Sequence, residues 1–163
     1  MYEQIFEEFN KNGIKYMVVG GVAVNLYGVP RATMDLDLCV MCDSENLTKA
    51  TSVLNSMDFE IVNNIDPNEV VKEDVREKIY KEKGIIAITF LNKSESDAGE
   101  VVDLIYRVSD FNKFYLRKYM IKIREDICVP LISIDDLIEM KTITNRVIDQ
   151  IDIEGLKKIK EGL

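Results

Sequence analysis

Hydrophobic positions along the chain switch between helical and extended periods, and the switches give an order of elements. Tyr2, Ile5, Phe6 and Phe9 recur at helical spacing, and Asn12-Gly13 ends that helix. "KYMVVG" reads as a short buried strand, followed by a helix of two turns from Gly21 to Tyr27. Gly28 stands at the C-cap position, with Pro30 just beyond. Met34 to Met41 alternates as a strand does. Asp43 or Ser44 caps the next helix, whose apolar stripe is Leu47, Ala50, Val53, Leu54 and Met57.

A short strand, "FEIV", comes next, and "DPNEVV" then announces a helix with Asp66 at the N-cap and Glu69 at the capping-box position. Val71, Val75 and Ile79 are expected to face inward from it. "GIIAITFL" is a continuous apolar run, the pattern of a central strand covered on both faces. "NKSESDAGE" is a polar loop and "VVDLIY" the returning strand. Phe111 to Tyr119 reads as helix, "KIRE" and "CVPLIS" as extended, and Ser133 with Asp136 opens another helix. Isoleucine and leucine at helical spacing carry the pattern to the end. The expectation is an α/β (α+β) chain: one domain over 1–163, a mixed β-sheet flanked by helices, and a short C-terminal helical segment.

Composition narrows the chemistry. With 163 residues, 47% hydrophobic and 31% charged, the chain has the make-up of a globular protein with one substantial core. No apolar run approaches the roughly 20 residues of a membrane span. The acidic, amphipathic start is unlike a secretory signal, so a soluble cytoplasmic protein with no membrane partner is expected. The balance of 21 basic against 29 acidic residues, a net of −8, excludes indiscriminate nucleic-acid binding over the whole surface. Cys39, Cys42 and Cys128 give no disulfide framework. "CVMC" lacks histidines to complete a zinc site, and its thiols read as buried or incidental.

One stretch concentrates candidate chemistry: "GGVAVNLYGVPRATMDLDL". Asp35 and Asp37 share one strand face, roughly 7 Å apart at a rise of about 3.3 Å per residue. Two such carboxylates can converge on one cation, or help hold two. Mg²⁺, or Mn²⁺, suits oxygen donors and keeps substrate phosphates in its shell. Alternating Asp and Leu is equally the pattern of a half-buried strand. Gly20 and Gly21 lie between an apolar strand and a short helix, where glycine admits a ligand close to backbone N–H groups. A tight turn needs the same glycines. Asp103 is an isolated acid in an apolar strand, to be exposed, paired or metal-bound.

Val19-Gly20-Gly21, thirteen residues, then Asp35-Leu36-Asp37-Leu38 resembles the signature of the DNA polymerase β-like nucleotidyltransferase superfamily. Asp103 matches its third carboxylate. Within the superfamily, Gly28, Arg31, Thr33, Asp35 and Asp37 are similar to the run found in small stand-alone proteins and AbiEii-type toxins. Lys141, Arg146, Asp149 and Asp152 match a Lys…Arg…Asp…Asp stretch of the same proteins.

The resemblance implies a nucleotidyltransferase fold and Mg²⁺-dependent transfer of a nucleoside monophosphate from an NTP to a hydroxyl acceptor. Asp35, Asp37 and Asp103 are its metal-binding and catalytic candidates. Gly20, Gly21, Arg31, Thr33 and Lys141 are its nucleotide-binding candidates. For Lys141 and its acidic neighbours, a solvated helical face laced by charge pairs is the competing reading.

The acceptor is open between RNA, protein and small molecule. Six basic residues between Arg107 and Arg124 stand against Asp110 alone, interleaved with Phe111, Phe114, Tyr115 and Tyr119. Such a segment can contact RNA, but core aromatics with solvated lysines give the same pattern. The resemblance implies a place in a toxin–antitoxin system for the enzyme, and leaves two non-enzymatic expectations: a catalytically silent protein acting as an antitoxin or nucleotide-binding regulatory partner, and a nucleotide sensor.

Overall fold

A computed structural model describes residues 2–93 and 99–162. Seven strands form one mixed sheet: β1 (Tyr16–Val18), β2 (Asp35–Val40), β3 (Glu60–Ile61), β4 (Ala87–Asn92), β5 (Glu100–Ile105), β6 (Tyr119–Lys122) and β7 (Cys128–Leu131). Their order is β3-β4-β5-β2-β1-β7-β6, which puts β2 in the middle. The β2–β5 and β1–β7 pairs are parallel and the others antiparallel. The expected hairpin is β4–β5; its connecting loop falls largely on 94–98, outside the described residues.

The helices are α1 (Tyr2–Lys11), α2 (Gly20–Leu26), α3 (Ser44–Ser56), α4 (Glu73–Lys83), α5 (Phe111–Leu116), α6 (Ile134–Thr144) and α7 (Val147–Glu161). Asp43 caps α3 by accepting from the Asn46 N–H, and Ser133 caps α6 by accepting from the Asp136 N–H. The core gathers Ile5, Phe9, Leu36, Leu38, Leu54 and Leu104, all fully buried. No helix among the described residues is long and apolar enough to cross a membrane.

Four expectations are corrected. The helix announced at Asp66 begins at Glu73 instead, and residues 67–71 form turns. Asp66 accepts from the Asn68 N–H, and Arg76 donates to the carbonyls of Val70 and Val71 (2.8 and 2.9 Å). Those carbonyls are thus satisfied outside a helix, while Val70 is fully buried. Second, β4 is not covered on both faces. Ile88, Phe90 and Asn92 are buried, while Ala87, Thr89 and Leu91 are half-buried.

Third, α5 stops at Leu116 because Tyr119–Lys122 pairs with β7. Fourth, α7 departs in part from the expected pattern: Leu156 is fully buried, but Asp149 and Asp152 are buried too, whereas Val147 and Ile151 are 78% and 60% exposed. Among the described residues all three cysteines are free; burial pushes the Cys39 thiol up to about 12, and Cys42 donates to the Val70 carbonyl.

Candidate functional site

The site is built on the β4–β5–β2 part of the sheet. Successive strand residues face opposite ways, so Leu36 and Leu38 enter the core while Asp35 and Asp37 share the other face. Parallel register sets Asp37 directly against Asp103, and antiparallel register sets Asp103 against Thr89. Thr89, Asp103 and Asp37 therefore line up across three strands at about 4.8 Å per step. Thr89 supplies a side-chain hydrogen bond to Asp103. The other carboxylate oxygen, Oδ1 of Asp103, is buried and has no hydrogen-bond partner among the described residues.

The electrostatics follow from this crowding. Burial, then the charges of Asp103 and Asp35, push the Asp37 carboxyl up to about 6, against the opposing pull of the Gly21 N–H and Lys141. Asp103 is raised as well, by burial first and by Asp35, and its bond from Thr89 opposes that rise. Three acids on one patch make a locus that favours a proton or a cation. Among the described residues, however, no three metal-ligating side chains are gathered tightly enough to form a ready cage.

The two glycines serve this patch. Gly20 has φ +63, and a Cβ on it would overlap the Asp37 carboxylate. The Gly21 N–H donates to Asp37, so this donor, expected to stand free, is engaged by a carboxylate. A Cβ on Gly21 would lie 2.5 Å from the Thr33 hydroxyl oxygen and 3.0 Å from Nη1 of Arg31. The glycine pair is thus a cradle into which Asp37, Thr33 and Arg31 close.

Arg31 is anchored from both ends. Its backbone N–H donates to the Asn25 side chain (2.8 Å), and its Nη1 donates to Asp152 (2.9 Å). Asp152 also accepts from Lys141 (2.8 Å), which bridges to Asp149 at 3.4 Å, and Asp149 accepts from Arg146 and Thr144. Lys141 is only 4% exposed. The reading of this stretch as a solvated face is therefore corrected: Lys141, Asp149 and Asp152 are buried, and Arg31 and the more exposed Arg146 close on the two carboxylates from either side. Burial pushes Asp149 up, but bonds from Arg146, Thr144 and the Arg146 N–H outweigh it and hold the carboxyl well below the usual range.

Sequence reasoning missed Thr89, Asn25 and Tyr2. The Tyr2 hydroxyl donates to the Met34 carbonyl (3.1 Å), and its pKa is raised by burial, then by Asp35, Glu100 and Asp37. Only the strand register places Thr89 beside Asp103, so no local signal marks it. The basic segment is largely committed to internal pairs. Arg107 binds Glu77, Arg117 binds Asp136, Arg124 binds Glu3, and Lys118 stacks on Tyr115.

Comparison with solved structures decides the architecture. The lincosamide antibiotic adenylyltransferase LnuA, solved with lincomycin bound, superposes with a TM-score of 0.64 over 96% of this chain and 94% of its own, at 15% identity. ANT(2")-Ia, solved with adenylyl-2"-tobramycin, gives 0.58 over 98% and 90%, at 10% identity. This is a nucleotidyltransferase fold. An antigenic nucleotidyltransferase-like protein from Paracoccidioides brasiliensis gives 0.55 over 94% of this chain and 72% of its own, at 20% identity. No protein-family model matches the chain, and no curated protein matches it in sequence.

Proposed function

We propose that the protein is a Mg²⁺-dependent nucleotidyltransferase that moves a nucleoside monophosphate from an NTP to a hydroxyl acceptor. The observation that carries this reading is the register pairing of Asp37 with Asp103, with Asp35 two residues along the same face. The residues fit the cation: they are hard oxygen donors, and Asp103 Oδ1 is a buried acceptor lacking a partner among the described residues. A loose set of carboxylates suits Mg²⁺, which keeps water and substrate phosphates in its shell. When bound, the ion supplies charge neutralisation for the transferring phosphoryl group.

Asp35 and Asp37 would hold that ion, and Asp103 would join them or accept the proton of the acceptor hydroxyl. Arg31 places a guanidinium beside the Gly21 backbone, where it would meet a nucleotide phosphate. The two antibiotic-modifying proteins of like fold make small-molecule hydroxyls the first acceptors to try, with RNA and protein next. The toxin-like placement suggested by Lys141, Arg146, Asp149 and Asp152 belongs to the same test.

The experiment is incubation with Mg²⁺ and each α-³²P-labelled NTP against pools of antibiotics, RNA and cell protein. Label should transfer with the wild type and not with Asp35→Asn or Asp37→Asn. Labelling that survives both substitutions in a purified sample refutes the assignment.

A further inference from the structure

Three contacts join α7 to the segment between α2 and β2. Asp152 accepts from Arg31 Nη1 at 2.9 Å, with side chains 2% and 18% exposed. Three residues on, hence on the same helix face, Gly155 lets the helix approach so closely that a Cβ would lie 2.6 Å from Cγ1 of Val29. Ile159, four residues further, approaches Gly28. The same Nη1 of Arg31 lies 3.0 Å from where a Cβ of residue 21 would stand, so the guanidinium spans from α7 to the glycine turn. Its Nε is buried and has no hydrogen-bond partner among the described residues.

An arginine so confined has lost rotamer freedom while keeping one donor unspent. Its carboxylate partner is shared with Lys141, so Asp152 does not neutralise Arg31 alone. We propose that Asp152, with Gly155 as its close-packing neighbour, is a positioning residue that docks α7 and aims the Arg31 guanidinium at a nucleotide phosphate. This rests on the nucleotidyl-transfer reading and deepens it: Arg31 gives α7 a route to the nucleotide. Preorganisation removes the cost of ordering a long side chain when the ligand arrives.

The test is a double-mutant cycle on Mg-NTP binding, read by calorimetry on the full chain with each of the four Mg-NTPs. Arg31→Gln and Asp152→Asn should each weaken binding about tenfold, the scale of one charge-assisted hydrogen bond. In the Arg31→Gln background, Asp152→Asn should have no further effect, and in the wild-type background Asp152→Glu should retain part of the binding that Asp152→Asn loses. A purely structural role would instead weaken binding equally in both backgrounds, and that result overturns the inference. Equal binding by wild type and Asp152→Asn overturns it too, leaving the nucleotide reading intact. If wild type binds no Mg-NTP, the nucleotide reading itself falls and this inference with it. Should Asp152→Asn fail to fold, Gly155→Ala replaces it, since it displaces Val29 without altering any charge.

Discussion

Substitution of Asp37 by asparagine should stabilise the metal-free protein at neutral pH. The native carboxyl holds its proton up to about 6, against an ordinary value of 3.8. Between those values the native state binds more protons than the unfolded state, so stability falls as pH rises, and the full cost is present above 6. At about 1.36 kcal/mol per pH unit the gap corresponds to about 3 kcal/mol, trimmed to about 1–3 by solvent and side-chain relaxation. The Asp37→Asn side chain keeps an acceptor for the Gly21 N–H and removes the charge. Urea unfolding in EDTA at pH 4 and pH 8 measures the effect. The stability of Asp37→Asn relative to wild type should grow by about 2 kcal/mol across that interval. In melting temperature this is about 4–8 °C for a chain of this size. Millimolar Mg²⁺ should close the gap at pH 8 by stabilising the wild type alone. A difference independent of pH would refute the electrostatic reasoning, because only titration of the crowded carboxyl can supply the slope.

Three further outcomes follow from the same geometry. Gly20→Ala should cost about 1–3 kcal/mol from the left-handed backbone alone, and by pushing Asp37 aside it should abolish Mg²⁺-dependent thermal stabilisation, both read by differential scanning fluorimetry. Lys141→Ala leaves Asp149 and Asp152 buried with fewer cations and should destabilise by about 3–5 kcal/mol in chemical denaturation. Asp149, held below the ordinary carboxylate range, contributes stability that is complete above that range and is lost as pH falls through its native value; Asp149→Asn should flatten that acid limb of the stability curve.

The local pattern made much of the fold legible. Period-two alternation at 35–40 and the Asp43 and Ser133 caps placed their elements because the decisive interactions lie within a few residues. The glycine pair and the acids were readable for the same reason. What the pattern could not carry was anything set by distant neighbours. The Asp66-Pro67 start fails because Arg76 claims the Val70 and Val71 carbonyls. The open face of β4 depends on Asp103 being its neighbour. In α7, apolar spacing points Ile151 inward, yet Lys141 and Arg31 draw Asp149 and Asp152 into the interior instead. Hydropathy scores a charge as if it were alone, and here none of these charges is.

The β2–β5 pairing also bears on when the acidic patch first assembles. Asp37 and Asp103 stand opposite each other although 66 positions (103 − 37) separate them in the chain. Parallel contacts of such sequence separation require closure of a long loop and form late compared with local turns and helices. A growing or partly folded chain therefore has the glycine turn and the DxD strand long before it has a site. A slip of one residue between β2 and β5 would turn one aspartate to the opposite face of the sheet. The register of two strands thus decides whether the acids of β2 and β5 come to share one patch at all.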